Sequence, residues 1–550
     1  MDGGSFSFKE LDRWEARTRA EAEEEDRRQA AEDAWVDGVV AEQERLEAQR
    51  KAQAAAARAS APSAAPAAAT RAFSGDDQMW QLALAPFGLA LSVDAECGRG
   101  LTTARAFRAG EELLRVAPTV AVLSEDHVGD RCHHCLAAAA SLKRCSGCQH
   151  ARYCCAAHQR AAWRHHREEC AVIKATRPRV LGPTLRLLGR ALNLPPSPPP
   201  PPPASEAASA VAAAAPGAWA AGSGGLMSLR APPELLEGAG RAEELAEQAQ
   251  MFCALLAHVH GGGGGSDGGS REGSAPAAAA AAPRVPPPRL ASEVLARLAT
   301  NGVTVTDEEL QPVGIGVYGL AALANHACRP TAAQTFDAKS GELVLRALAP
   351  LAAGAAVTVA YIDVAQPVAA RRAALRSTYG FTCRCERCAA ADAEATKAAA
   401  GSPADIDMAA DADAADAAAV AESTAATLAA IDVGAWTEAL TAAEAGLAPA
   451  LRLHPAASPP LGLLLLRLAK LRAHVAHEVA PSRKASLSLL QGAVDAYMRA
   501  AAILCVSHGN ADVSPLVSGL LDELDGARRE LQYGPGGVDS RDEADHALPE

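Results

Sequence analysis

Along this chain of 550 residues the spacing of apolar and polar positions changes several times, and each change predicts a different kind of element. Residues 1–75 begin with alternating acids and bases on a helix-forming background and decay into Ala, Ser and Pro. Apolar residues at heptad a and d positions are too sparse there for a coiled coil, so the pattern predicts a largely disordered, charged arm with at most one solvated helix. From 82 to 123 short apolar runs are broken by Gly and Asp, as in FGLALSVDAECGRGLTTARAFRAGEELLRVAPTVAVL, which predicts short strands and turns. Helical spacing follows at 172–194 and 233–258. The proline run at 195–203, the Ala/Gly-rich tract after it and the Gly run at 261–265 bury too little apolar surface to offset the entropy of ordering, and read as loop insertions. The strand-and-turn pattern resumes near Gly302 and runs to Ile362; Ala- and Asp-rich text at 390–420 predicts a linker; amphipathic helices fill 421–531. Within these, GAWTEALTAAEAGLAPALRLHP, from Gly434, has the Gly, Ala and Pro placement of a tetratricopeptide-type hairpin, with a blurred second copy near Lys484.

Charge and composition narrow the classes. The 52 basic and 65 acidic residues give a formal charge of -13, which argues against nonspecific nucleic-acid binding as the main business of the surface. The richest apolar run, 461–466, stops at Arg467, well short of the roughly 20 residues that cross a bilayer. The N-terminal stretch lacks the apolar core of a secretion signal and the acid-poor character of a transit peptide, so no membrane partner and a cytoplasmic and/or nuclear location are expected.

The 14 cysteines concentrate at 132–170 and 383–388, which in a reducing compartment points to metal thiolates. Cys132-x2-Cys135, Cys145-x2-Cys148, Cys154-x3-His158 and His166-x3-Cys170 supply eight donors within 39 residues, the number that two tetrahedral zinc ions need. Alternate pairs would share a metal: Cys132, Cys135, Cys154 and His158 on one, Cys145, Cys148, His166 and Cys170 on the other. His133, His134 and His165 read as exposed neighbours. Such a site has no open coordination position, so its role is structural or adhesive. Cys383, Cys385 and Cys388 add three thiolates, one short of a third closed site.

Tyr153 and the string HQRAAWRHHREEC from His158, with its Trp163, resemble the MYND zinc module. That family usually carries Cys where His158 stands, leaving His158 or the adjoining Cys155 for that position. Further matches come in order: GRG at 98–100, NHACRP at 325–330, GAAVTVAYID at 354–363 and STYGFTCRCERC at 377–388. Together these resemble the SET and MYND domain family of protein-lysine methyltransferases, across most of residues 80–390. RLLGR at 186–190 and VSHG at 506–509 echo its inserted helical region and C-terminal domain. The resemblance implies a multi-domain α+β fold: a β-rich SET domain at 80–128 and 301–364, split by the MYND module at 132–170 and a helical insertion at 171–300, then a post-SET zinc segment at 376–392 and a TPR-like helical domain at 421–531.

It also implies roles. Gly98, Arg99 and Gly100 would let the main chain approach the methionine end of S-adenosylmethionine, Asn325 and His326 would hold its amino and adenine portions, and Phe381 would stack on the adenine. Tyr361 would orient the lysine amine and Tyr379 form the opposite wall of the channel. Cys328 would be the fourth ligand of a third Zn2+. Methyl transfer from a sulfonium to an amine is an in-line displacement that needs a neutral amine and an aligned donor, so positioning and electrostatics supply most of the catalysis. The chain departs from the family at Arg99 for a frequent Asn, Ala327 for Ser, Thr331 for Asn, and Val303 where an aromatic often walls the channel. Partners implied are a protein substrate lysine and peptides held by the MYND surface or the helical tail. The alternative is a catalytically weak or inactive zinc scaffold that binds partners. A DNA-binding regulator ranks last, because the cross-braced ligand pattern lacks the helix that a reading finger presents.

Overall fold

The computed structural model describes residues 74–94, 97–195, 222–236, 240–261, 285–399 and 403–533. The arm up to residue 73 and most of the Pro, Ala/Gly and Gly tracts lie outside the described residues. The described part opens on helix α1 (Gly75–Leu84). Ser74 Oγ accepts the Asp77 amide while Asp77 Oδ2 accepts the Ser74 amide, a reciprocal cap at Ser-x-x-Asp spacing. Strands β1 (Leu89–Asp94), β2 (Gly98–Thr103), β3 (Glu112–Val116) and β4 (Val120–Leu123) follow. The zinc-donor segment holds a small hairpin, β5 (Lys143–Arg144) and β6 (Arg152–Tyr153), and helix α2 (Ala156–Thr176). Next come α3 (Pro183–Leu192), α4 (Ser223–Ser228), α5 (Pro233–Leu236), α6 (Arg241–Gly261) and α7 (Pro288–Asn301). Then β7 (Gly302–Thr306), β8 (Pro312–Val317), β9 (Asn325–His326), β10 (Ala332–Phe336), β11 (Leu343–Ala347) and β12 (Ala356–Val359) complete the strands. Helices α8 (Val368–Tyr379), α9 (Glu386–Ala399), α10 (Pro403–Asp432), α11 (Trp436–Leu453), α12 (Pro459–Glu478), α13 (Arg483–His508) and α14 (Pro515–Tyr533) close the described chain.

Pairing across the interruption is the main feature of the topology. The sheets run β1-β2-β12-β9, β10-β11-β3 and β4-β8-β7. Hence β2, β3 and β4 each pair with a strand that follows the zinc segment and helices. Among the described residues only β9 and β12 run parallel, with Asn325 opposite Thr358 and His326 opposite Val359. Between the sheets and α1, α3 and α7 lies one core, including Trp80, Leu84, Leu101, Leu114, Leu187, Leu295 and Leu345. A separate core joins α12, α13 and α14, and a smaller one joins α11 to α12. The fold is therefore α+β with a helical C-terminal region.

Several sequence expectations need correction. The helix expected at 172–194 begins at Ala156 and breaks between Thr176 and Pro183; the metal-donor spacing masked its first turns, and Pro178 and Pro183 interrupt it. The stretch at 233–258 is two helices parted near Gly240, whose φ of +74° suits glycine. Residues 82–84 are helical, not extended. The expected linker at 390–420 is largely helix, in α9 and α10, because Ala has the highest helix propensity and outweighs the Asp residues. The tetratricopeptide-like string is mostly a single helix, α11. Helix α13 is long and apolar enough by composition to cross a membrane, but half of its most apolar window is buried, with Ala493, Tyr497, Ala500 and Leu504 in the helical core.

Candidate active site and metal centres

Each metal centre is assembled by local turns that turn donors inward. In the first group Cys132, Cys135, Cys154 and His158 have donor atoms within 4.8 Å of one another. His158 turns Nδ1 to Cys154 Sγ at 3.0 Å and Cys132 Sγ at 3.8 Å. Cys155 is exposed and caps α2 by accepting the His158 amide, so the donor at that point of the motif is His158. The second group joins Cys145, Cys148, His166 and Cys170. Cys145 and Cys170 sulfurs are 3.9 Å apart, and His166 Nε2 is 3.5 Å from Cys148 Sγ. A Cβ on Gly147 would come within 2.9 Å of Cys170 Sγ, so the Cys-x2-Cys turn needs glycine there. The third group is Cys328, Cys383, Cys385 and Cys388, with Cys328 Sγ 3.9 Å from Cys383 Sγ and 3.6 Å from Cys388 Sγ. Zn–S bonds of about 2.3 Å in a tetrahedron put sulfurs about 3.8 Å apart. Donor type, number and spacing thus fit three closed zinc sites.

His133 is buried rather than exposed. Its Nδ1 accepts the Arg152 amide at 3.1 Å and its ring packs against His150 and Tyr153; that main-chain hydrogen bond fixes the ring, and burial pushes its pKa down to about 3. His134 is exposed and His165 partly so.

Beside the third zinc group lies a cleft of about 1320 Å³. Its lining includes Gly98, Arg99, Asn325, His326, Tyr361, Tyr379 and Phe381. Gly98 has φ of +72°, which favours glycine. Gly100 is held glycine by crowding: a Cβ there would meet Ser92 Oγ at 2.8 Å and Asn325 Nδ2 at 2.9 Å. Asn325 Nδ2 donates to Arg99 O at 3.0 Å, tying β9 to β2. His326 Nδ1 accepts the Tyr361 amide at 3.1 Å, and its Nε2 lies 3.4 Å from Cys328 Sγ. With Nδ1 accepting, the proton sits on Nε2 and points at the cysteine sulfur; burial pushes the imidazole down to about 4. The Tyr361 hydroxyl donates to Ala324 O at 2.7 Å, leaving its oxygen lone pairs for a ligand. Burial pushes its pKa up, and Tyr379 adds to this. The rings of Tyr361 and Tyr379 are 4.8 Å apart, and those of Tyr379 and Phe381 6.4 Å.

Pattern reading did not find every residue at the site. Asp94, Cys97, Leu229, Arg230, Asn301 and Gln334 also line the cleft, beside the expected Val303. Arg99 Nε donates to Asp77 Oδ1 at 2.5 Å and its Nη1 donates to Ser228 O, so this side chain joins α1 and α4 to β2. Burial alone would raise the Asp77 carboxyl, but the Ser74 amide and hydroxyl and the Arg99 guanidinium hold it at about 2. Glu169, three residues beyond His166, is buried and accepts from His166 Nδ1 at 2.9 Å. Histidine and carboxylate three apart on a helix was a signal available in the sequence.

Comparison with known proteins fits this arrangement. Residues 132–170 match the MYND finger family. The histone-lysine N-methyltransferase SMYD3 of Mus musculus is 28% identical over 305 residues, covering 55% of this chain and 61% of the relative. The N-lysine methyltransferase SMYD2 of Gallus gallus is 28% identical over 311 residues, covering 55% and 60%. The histone-lysine N-methyltransferase ASHR1 of Arabidopsis thaliana is 25% identical over 298 residues, covering 53% of each. The chain thus spans between about half and six-tenths of the length of these relatives. A solved structure, the SET domain of LSMT bound to lysine and AdoHcy, is 12% identical, covering 87% of this chain and 100% of that one; its TM-score of 0.25 is too low to carry an argument. The likeness to SET and MYND domain methyltransferases read from the motifs is also found by sequence similarity over about half of the chain.

Proposed function

We propose that the chain is an S-adenosylmethionine-dependent protein-lysine N-methyltransferase. The observation that carries this reading is the meeting, in one cleft beside the third zinc group, of Gly98 and Arg99 at the start of β2, Asn325, His326, Phe381 and the Tyr361–Tyr379 pair. Similarity to proteins named as lysine methyltransferases supports it. On this reading residues 80–128 and 301–364 are the two parts of a SET domain, 171–300 a helical insertion, 376–392 a post-SET segment and 421–531 a TPR-like domain.

When bound, S-adenosylmethionine supplies an electrophilic sulfonium methyl. Gly98, Arg99 and Gly100 offer it main-chain contacts, Asn325 and His326 bind its amino and adenine portions, and Phe381 stacks on the adenine. Tyr361 accepts from and orients the lysine amine, while Tyr379 walls the other side of the channel. Val303 makes that channel less aromatic, which weakens cation-π attraction for an ammonium and leaves more room for a methylated amine. The substrate is a protein lysine, and the MYND surface or helical tail holds partner peptides, in cytoplasm or nucleus.

Calorimetric titration with S-adenosylmethionine tests the cofactor part. A micromolar binding heat supports the enzyme, whereas no heat from a zinc-loaded sample leaves the inactive scaffold.

A further inference from the structure

We infer that Glu169 and Arg190 are positioning residues that couple the second zinc site to the sheet forming one wall of the cleft, so that each stabilises the other. The coupling begins at His166, whose Nε2 faces Cys148 Sγ. Its Nδ1 therefore carries the proton, donated to Glu169 Oε2 at 2.9 Å. Such a carboxylate fixes the tautomer and the ring orientation of a ligating histidine. The same oxygen accepts from Arg190 Nη2 at 2.9 Å. Arg190 Nη1 then donates to Ala121 O at 2.6 Å.

Arg186 repeats the connection one turn earlier on α3. Its Nη2 donates to Leu123 O at 2.6 Å and to Glu125 Oε1 at 2.9 Å, and its Nη1 lies 4.0 Å from Glu169 Oε1. Among the described residues β4 is an edge strand of its sheet. Ala121 and Leu123 are two apart, so their carbonyls point the same way; the two guanidinium groups occupy an edge that would otherwise need a strand or water. Side-chain exposure is 5% for Glu169, 1% for Arg186 and 10% for Arg190. Solvent therefore cannot replace a lost partner: removing Glu169 leaves the buried Arg190 charge without its carboxylate, and removing Arg190 takes a donor from both Glu169 Oε2 and Ala121 O.

The sheet carries this constraint onward. Leu123 pairs with Gly314 and Ala121 with Gly316 of β8, and Gly316 pairs in turn with Val303 of β7. Gly302, Val303 and Thr304 line the cleft. A Cβ on Gly314 would clash with Val122 O, so β4 and β8 are packed too closely to slide past one another.

Coupling free energies are reciprocal, and this sets the test. Arg190 is not a zinc donor, so any effect of Arg190→Met on zinc is the coupling itself. The zinc-loaded full chain, Glu169→Gln and Arg190→Met are compared by the rate of zinc transfer to a chromogenic chelator and by amide hydrogen exchange over 120–123, 302–306 and 314–317. Both variants are expected to release one of the three zinc ions about 10–100-fold faster, with faster exchange in all three segments. Arg190→Lys keeps the charge but cannot bridge carboxylate and carbonyl in the same way; if Arg190→Met does not fold, the lysine variant is expected to show the same paired change. A looser sheet with zinc release unchanged in the arginine variants would overturn the inference, as would faster zinc release in Glu169→Gln with exchange unchanged. Neither readout uses turnover, so the outcome is independent of the proposed methyl transfer.

Discussion

Tyr361 carries the most direct expectation at the scale of single residues. Replacing it with Phe removes the hydroxyl bonded to Ala324 O but keeps the ring against Tyr379. Turnover of a lysine peptide should fall about 100-fold, roughly 2.7 kcal/mol of transition-state stabilisation, with S-adenosylmethionine affinity changed less than about threefold by calorimetry. In the wild type the rate should rise with pH between about 7 and 9, because the substrate amine, with an ordinary pKa near 10.4, must lose its proton. Burial raises the Tyr361 pKa, so the hydroxyl stays protonated and a donor throughout that window; a rate flat with pH would contradict the requirement for a neutral amine. Gly100→Ala should displace Asn325 from Arg99 O, because the new methyl lies within van der Waals contact of Asn325 Nδ2. Overpacking of this kind costs about 1–3 kcal/mol, read as a lower denaturation midpoint together with weaker cofactor binding. The glycines, tyrosines and metal donors were legible because each carries a local motif. Asp77 was not legible, since its partner Arg99 lies 22 residues away; Glu169 had a local signal in His166 three residues before it, but its second partner Arg190 lies 21 residues on.

At the scale of elements, the turn between β7 and β8 is held by the C-terminal helices. Glu308 accepts from Ser514 Oγ at 2.9 Å and from the Leu516 amide at 3.0 Å, capping the start of α14. His508 Nε2 lies 3.1 Å from Glu308 O, which gives the VSHG string a docking role. Glu308→Ala should therefore cost about 1–2 kcal/mol in chemical denaturation. Because β7 reaches the cleft through Val303 and Thr304, it should also raise the peptide KM; an unchanged midpoint would mean that the cap is not holding the turn. Helices were the elements whose limits pattern reading missed. Alanine at 390–420 satisfied the eye as linker text but favours α10, and zinc-donor spacing hid the start of α2. Cutting the chain after Val420 would consequently sever a helix.

For the whole molecule, the decisive pairings are remote: β2 with β12, β3 with β11 and β4 with β8. Alternation in the sequence predicts that strands exist but not which strands meet, and here the family motifs rather than periodicity supplied the expectation of a split domain. Zinc joins the remote parts. Cys328 comes from the segment after β9, whereas Cys383, Cys385 and Cys388 follow α8. Cys328→Ser should lower the zinc content from three ions per chain to two and abolish cofactor binding with it; retention of all three ions would refute that ligand assignment. The most direct test of the account as a whole is transfer of tritiated methyl from S-adenosylmethionine to a protein or peptide array by the zinc-loaded chain. The account predicts label on lysine side chains that is largely lost with Tyr361→Phe; no lysine label above background from a fully zinc-loaded preparation, or label undiminished by that substitution, would contradict it.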